Sequence, residues 1–275
     1  MPELPEVESI RRTLKDTPGL INQHVTNVDL LWKRTLASPS HQVFKASIIG
    51  QILKDIERRG KYILFRLSSD WLVIHLRMSG DLRVEATDTP IAKHHRLTLD
   101  FDSGYRLAFN DTRKFGRAWL VNSAENLLAH LGPEPLEDSF TPQLFFANLQ
   151  KHRRQIKPLL LEQRFIAGIG NIYADEALHQ AQVHPQTPSN MLNFEQAESL
   201  WGSIRDVLSK GIQRNGTSID WIYRGGSFQN YLQVYQRTGK PCYRCNNTIV
   251  RIRVGQRGTH YCPECQPMPE DIIGH

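Results

Sequence analysis

The chain has 275 residues, of which 40% are apolar, 9% aromatic and 23% charged; this suits one large folded domain or two ordinary ones and excludes a disordered tail. No apolar run approaches the ~20 residues that cross a bilayer, and the amino terminus lacks the regions of a signal peptide, so a cytoplasmic protein is expected. The net charge of +6 points to a polyanionic partner, with basic stretches at Arg58-Arg59-Gly60-Lys61, Arg113-Lys114 and Lys151-His152-Arg153-Arg154 suited to DNA or RNA phosphates or simply to a solvated surface.

The chain opens "MPELPE", and the next residues, "EVESIRRTLKD", place Val7, Ile10 and Leu14 on one helical face and Arg11, Arg12 and Lys15 on another. Pro5 suits a first helical position, and Glu6 and Glu8 suit the positive end of the helix dipole. A docked helix of this kind would hold the extreme terminus in place.

From about residue 25 to 122 the segments "KYILFRL", "WLVIHLRM", "HRLTLDF", "YRLAF" and "RAWLV" read as short strands broken by turns such as "SSD" and "DSG". Strands at such close intervals favour an antiparallel sandwich or barrel. The proline-rich "HLGPEPLEDSFTP" reads as a linker, followed by helices at roughly 142–152, 158–167, 172–182 and 194–214. Asn193 is placed to cap the last of these and Gly216 to end it.

"IAGIGNIYADEAL" sits between two helical segments. Gly168 and Gly170 allow a tight turn with exposed N–H groups, and Asn171 is placed to cap the helix that follows, a ready site for phosphate or merely a helix hairpin.

All four cysteines lie in the last 34 residues, as Cys242-x-x-Cys245 and Cys262-x-x-Cys265 with 16 residues between the pairs. That spacing predicts one structural zinc, two knuckles closing a tetrahedron, with a redox pair or free thiols as the alternatives. "TIVRIRV" and "THYC" read as a β-hairpin between the pairs.

In combination these motifs are specific. "PELPEVE", "RRGKY", "HLRMSG", "DTRKFG", "HLGPEPL", "AGIGNIYADEAL" and a four-cysteine hairpin holding "GQRGTHYC" occur in one order, from Pro2 to Cys265. The chain closely resembles the formamidopyrimidine-DNA glycosylases, bacterial base-excision enzymes related to endonuclease VIII. The resemblance implies an α+β fold: an amino-terminal β-sandwich flanked by helices over 1–133, a helical domain with a helix–two-turns–helix element over 134–232, a zinc finger over 233–267 and a tail over 268–275. Damaged double-stranded DNA would lie in the cleft between the domains, bound by a monomer in the bacterial cytoplasm or nucleoid. A damaged purine, 8-oxoguanine or a formamidopyrimidine, would be flipped into a pocket and removed, and the abasic strand then cleaved, because the glycosidic carbon is shielded inside the stack.

Position by position, the resemblance implies that Pro2 is the nucleophile, Glu3 its acid–base partner and Lys61 an aid to elimination. Arg257, at the finger tip, would engage the phosphate flanking the lesion, with Asn171 on the same backbone. Met78, Arg113 and Phe115 would fill the gap left by the flipped base, and His94, Arg153 and Lys157 would contact phosphates. The segment 217–229 would be a mobile loop over the extruded base. Two features depart from the family pattern: Lys93-His94-His95-Arg96, where an Asp-His pair commonly follows the histidine of "KH", and Gln236 in "VYQR", commonly glycine. The alternatives are an endonuclease VIII-like enzyme for oxidised pyrimidines, disfavoured by Leu4, and a non-catalytic zinc-dependent DNA-binding module, which gives no reason for Pro2, Glu3 and Lys61 to occur together.

Overall fold

A computed structural model describes residues 1–218 and 225–269. The chain divides into two units, Met1–Ala129 with Thr217–Gly226, and His130–Gly216 with Ser227–His275. The part 219–224 of the expected loop and the end of the tail lie outside the described residues.

In the first unit, α1 (Leu4–Asp16) starts at an N-cap Glu3, with Pro5 in its first turn. Leu4, Val7, Ile10 and Leu14 are buried, the stripe expected from the sequence plus one residue. At about 1.5–3 kcal/mol for each fully buried side chain, these four hold the terminus against fraying. The polar face is less solvated than expected. Arg11 and Arg12 both reach the Glu8 carboxylate at 2.8 Å, and Arg58 reaches it at 3.1 Å. Burial alone would raise the Glu8 carboxyl, but the Arg11 and Arg12 hydrogen bonds and the nearby charges outweigh it and hold it below the usual range.

The strands follow as β1 (Val25–Leu30), β2 (Leu36–Ser38), β3 (Leu53–Arg59), β4 (Tyr62–Leu67), β5 (Trp71–His75), β6 (Gly80–Ala86), β7 (His95–Phe101), β8 (Tyr105–Asp111) and β9 (Arg117–Val121), with α2 (His41–Ile48) before β3 and α3 (Ala124–Leu128) after β9. They form a four-stranded sheet, β1-β7-β8-β6, and a five-stranded sheet, β2-β9-β5-β4-β3. All neighbours are antiparallel except the β2–β9 pair. Leu97, Leu99 and Phe109 of one sheet share a core with Ile56, Phe65 and Ile74 of the other, and with Val7, Ile10 and Leu14 of α1. Two sheets over one apolar core make the expected β-sandwich.

The second unit holds α4 (Pro142–Gln150), α5 (Ile156–Leu160), α6 (Asn171–Gln180), α7 (Phe194–Gln213) and the hairpin β10 (Val250–Val254) with β11 (Arg257–Tyr261). α7 begins with a reciprocal cap: Asn193 Oδ1 accepts the Gln196 N–H at 2.8 Å, and Gln196 Oε1 accepts the Asn193 N–H at 3.1 Å. The helix expected over 158–167 is shorter and starts earlier. The Gln163 side chain explains its end, donating to Leu161 O at 3.1 Å and Ile169 O at 2.9 Å and accepting the Gly168 N–H at 2.9 Å. Those bonds satisfy a compact turn in place of further helix. Gly168 sits in that turn at φ 89°, a conformation that suits glycine. Among the described residues no helix is long and apolar enough to cross a membrane.

Candidate active site and zinc centre

Met1 is 45% exposed, whereas Pro2 and Glu3 behind it are buried. The capping carboxylate of Glu6 organises this end. Its Oε2 accepts the Glu3 N–H at 2.8 Å, while Oε1 accepts the Thr217 N–H at 2.7 Å and the Thr217 hydroxyl at 3.2 Å. Lys61, also buried, lies in the turn just before β4, after Gly60, which turns the β3–β4 hairpin at φ 54°. α1 packs on β3 and β4, and the Glu8–Arg58 ion pair joins its second turn to this hairpin. Arg58, in a basic run suited either to phosphates or to a solvated surface, thus faces a carboxylate inside the unit. Opposite Tyr62, His75 accepts the Arg77 N–H on its Nδ1 at 2.9 Å. Burial first, then the Arg77 and Lys61 charges, push the His75 imidazole down to about 3, so it is neutral at pH 7.

Met78 and Phe115 are exposed, at 39% and 48%, although both are large and apolar. The Arg113 guanidinium lies 5.0 Å from the centre of the Phe115 ring, and the Lys114 ammonium lies 4.0 Å from that of Trp32. His94 is half-buried, with Nδ1 3.3 Å from the Arg96 guanidinium. The departure at His95-Arg96 turns inward: both side chains are buried, and Arg96 Nε donates to Asp111 O at 2.7 Å.

In the second unit, Arg257 is exposed at the start of β11, after a two-residue turn in which Gly255 and Gln256 have φ 52° and 63°. Arg153 is exposed, while its neighbour Arg154 pairs with Glu162 at 2.5 Å. Lys157 requires a correction. It is fully buried, 2.6 Å from Asp175 Oδ1, and donates to Thr259 Oγ1 at 2.7 Å and Gly258 O at 3.2 Å. An ammonium so enclosed does not reach a phosphate; its role is internal. Asn171 is also corrected in one respect. Gly170 is the N-cap of α6, and Asn171 begins the helix, its amide donating to Gly258 O at 3.1 Å. Both side chains therefore hold the main chain next to Arg257. On the other side, Asp175 Oδ2 accepts the His260 N–H at 2.9 Å.

The thiol sulfurs of Cys242, Cys245, Cys262 and Cys265 all lie within 4.8 Å of one another. Cys242–Cys265 and Cys245–Cys262 are separated by 3.9 and 3.4 Å, against about 3.8 Å between sulfurs of a tetrahedron with Zn–S bonds of ~2.3 Å. Four thiolates crowded into this space would repel one another, and a divalent cation at their centre offsets that charge. The donors fit one structural zinc with no position open for water. His179 Nε2 lies 3.5 Å from Cys242 Sγ, an outer hydrogen-bond partner. Glu176 accepts the N–H groups of Gln233, Val234 and Tyr235 at 2.7, 3.0 and 2.8 Å and fixes the chain entering the finger. Glu6, Asp175, Glu176 and His179 were not expected as site residues; "NIYADEALH" carried three of them on buried positions of one helix.

One unit is a β-sandwich whose amino terminus buries proline and glutamate, the other is helical and carries a four-cysteine hairpin, and this pair of units marks the class of base-excision DNA glycosylases. Residues 1–118 match the formamidopyrimidine-DNA glycosylase N-terminal domain, 131–222 its H2TH domain, and 239–267 the zinc finger found in Fpg and IleRS. The formamidopyrimidine-DNA glycosylase of Protochlamydia amoebophila is 43% identical over 275 residues, spanning 97% of this chain and 99% of that one. That of Chloroflexus aurantiacus is 47% identical over 274 residues, spanning 97% and 98%. Lactococcus lactis Fpg, solved with DNA containing N7-benzyl-Fapy-dG, superposes with a TM-score of 0.91 at 38% identity, covering 97% of this chain and all of the other. MutM in complex with carbocyclic 8-oxo-G DNA gives 0.90 at 39% identity, covering 97% of this chain and 100% of that one. The chain belongs to the formamidopyrimidine-DNA glycosylase family.

Proposed function

We propose that this enzyme excises oxidised purines, 8-oxoguanine and formamidopyrimidines, from duplex DNA and then cleaves the abasic strand, using the secondary amine of Pro2 once Met1 is removed. The observation that carries this reading is the buried Pro2-Glu3 end, tied down by Glu6, where termini are commonly frayed. The lesions in the DNA of its structural relatives support a purine substrate.

An α-amino group titrates near ~8, against ~10.4 for lysine, so far more of it is neutral and nucleophilic at pH 7. The Pro2 nitrogen attacks the anomeric carbon; the glycosidic bond breaks, and the base leaves with a proton. Glu3 delivers a proton to the ring oxygen as the sugar opens. The resulting iminium has no N–H proton to lose, so its positive charge persists and acidifies the neighbouring carbon. Loss of that proton expels the 3′ phosphate, and a second elimination expels the 5′ phosphate. Water then releases the sugar fragment and restores the amine. Lys61 carries protons in the eliminations. Met78, Arg113 and Phe115 occupy the space vacated by the base, and His94, Arg153, Asn171 and Arg257 engage phosphates. We assign catalysis to 1–133, DNA grip to 134–232 and the finger to 233–267, in a protein working as a monomer.

Borohydride should trap a covalent complex with lesion-containing DNA, and mass spectrometry should place the adduct on Pro2. Retained Met1 in fully active enzyme, or an adduct on Lys61, would defeat the mechanism. Duplexes with single defined lesions test the substrate: faster cleavage at oxidised pyrimidines than at 8-oxoguanine would overturn it.

A further inference from the structure

Met78 lies in one loop of the first unit and Arg113 and Phe115 in another, and a single buried carboxylate ties the two loops together. Asp111, the last residue of β8, is 1% exposed. Its Oδ1 accepts the Ser79 hydroxyl and the Arg113 N–H, the latter at 3.2 Å, and its Oδ2 accepts the Gly116 N–H at 2.7 Å. Ser79 follows Met78 and Gly116 follows Phe115. The Ser79 hydroxyl oxygen also accepts the Arg113 N–H at 3.1 Å, closing a link from loop to loop. Through its main chain, Asp111 donates to His94 O at 2.9 Å.

Sheet stability alone does not call for this residue. Leu107 and Phe109 earlier in β8 are buried apolar side chains, and a buried carboxylate is costly unless its oxygens are saturated. The donors on Asp111 are a hydroxyl and two main-chain amides, and among the described residues no cation pairs with it. The loops it holds are tightly determined in other ways as well. Arg77 and Lys114 sit at φ 56° and 62°. A Cβ on Gly80 would lie 2.5 Å from Leu76 O, and one on Gly116 would run into the Phe109 ring. Conformations of this kind persist where the surroundings over-determine them.

We propose that Asp111 is a positioning residue, holding the Met78 loop and the Arg113–Phe115 loop in fixed register so that their tips enter the gap as the damaged base is extruded. This rests on the base-excision reading above. The contribution of Asp111 falls on extrusion of an intact base, whereas a preformed abasic site has no base to evict.

Asp111→Asn keeps the shape but replaces one acceptor with an NH2 that faces an N–H donor. In single-turnover assays the variant should excise 8-oxoguanine on the order of tenfold more slowly, the loss of one charge-assisted hydrogen bond, with cleavage of a preformed abasic duplex little changed. The fluorescence change of 2-aminopurine placed opposite the lesion, reporting entry of the side chains, should slow in parallel. Unchanged excision, or equal losses on both duplexes, would overturn the proposal. If Asp111→Asn does not fold, Ser79→Ala carries the same test: it removes only the hydroxyl bridge, and the same selective loss is expected or the proposal falls. Wild-type protein inactive on both duplexes would count against the proposed function instead.

Discussion

The Glu6 carboxylate accepts the main-chain N–H of Thr217 at 2.7 Å, joining residues 211 apart in sequence. Its other oxygen accepts the Glu3 N–H, so one buried side chain serves both the helix cap beside the proposed nucleophile and the root of the segment after α7. Glu6→Gln leaves one oxygen for two donors and turns an NH2 against the other. Loss of a hydrogen bond to a charged group costs about 1.5–3 kcal/mol. Thermal unfolding should show that loss, and borohydride trapping should slow while zinc content stays at one per chain.

Zinc in this protein is structural. Four sulfurs within 4.8 Å complete a tetrahedron and leave no open position. Cys245→Ser should therefore lose both metal and DNA binding while the sandwich, with its separate core, stays folded by circular dichroism. A stoichiometric metal assay on native protein that finds no zinc would refute this.

Lys157 and Arg257 make a contrast, since both were basic residues expected at phosphates. Lys157→Met strips Asp175 Oδ1 of its buried cation and leaves only His260 on Oδ2, a loss of up to about 3–5 kcal/mol, and should melt the second unit early. Arg257→Ala removes an exposed guanidinium suited to bidentate phosphate contact and should weaken lesion-duplex binding at an unchanged melting temperature. Calorimetry and a binding titration on both variants separate the two roles; an early melt in Arg257→Ala would make that residue structural.

Gln236 stands in a turn closed by the Arg237 N–H on Val234 O at 3.0 Å, with φ 56° and an exposed side chain. A left-handed residue other than glycine costs roughly 1–2 kcal/mol, partly offset by glycine's larger entropy in the unfolded chain. Gln236→Gly should therefore raise stability by about 0.5–1 kcal/mol, seen as a later midpoint in denaturant.

The features legible in the sequence are those set by local spacing. The cysteine pairs announce the metal, period-3.6 apolar residues announce α1 and α7, and alternating runs announce the strands of the sandwich. The parallel β2–β9 pair was not legible, because register between distant strands leaves no mark on either. Basic residues misled for the same reason. Lys157 and Arg58 look like any surface lysine or arginine until Asp175 and Glu8 are brought against them. The helix ending at Leu160 depended on bonds from Gln163 to the turn after it, which propensity does not report.

His75 should give the protein a pH dependence close to Lys61 of the proposed active site. Burial, then the charges of Arg77 and Lys61, lower its folded value to about 3, from about 6.5 when unfolded. With the folded value depressed, the unfolded chain takes up the proton first as pH falls. The contribution of the neutral imidazole is therefore complete above pH ~6.5 and is lost progressively as pH falls toward about 3. Carboxylates of an unfolded chain take up protons near pH ~4, in the lower part of this window, so the wild-type curve alone does not isolate His75. His75→Asn does, because its amide oxygen can still accept the Arg77 N–H that His75 Nδ1 accepts at 2.9 Å, yet it does not titrate. Some packing against Tyr62, whose ring centre lies 4.6 Å from that of His75, is lost at every pH, so the variant should be less stable at pH 8. The gap between wild type and variant should then narrow steadily below pH 6.5, as only the wild type pays the protonation cost. Parallel melting curves at half-unit steps from pH 8 to 5 measure it; a gap that stays constant or widens in acid would show that His75 does not titrate as its surroundings dictate.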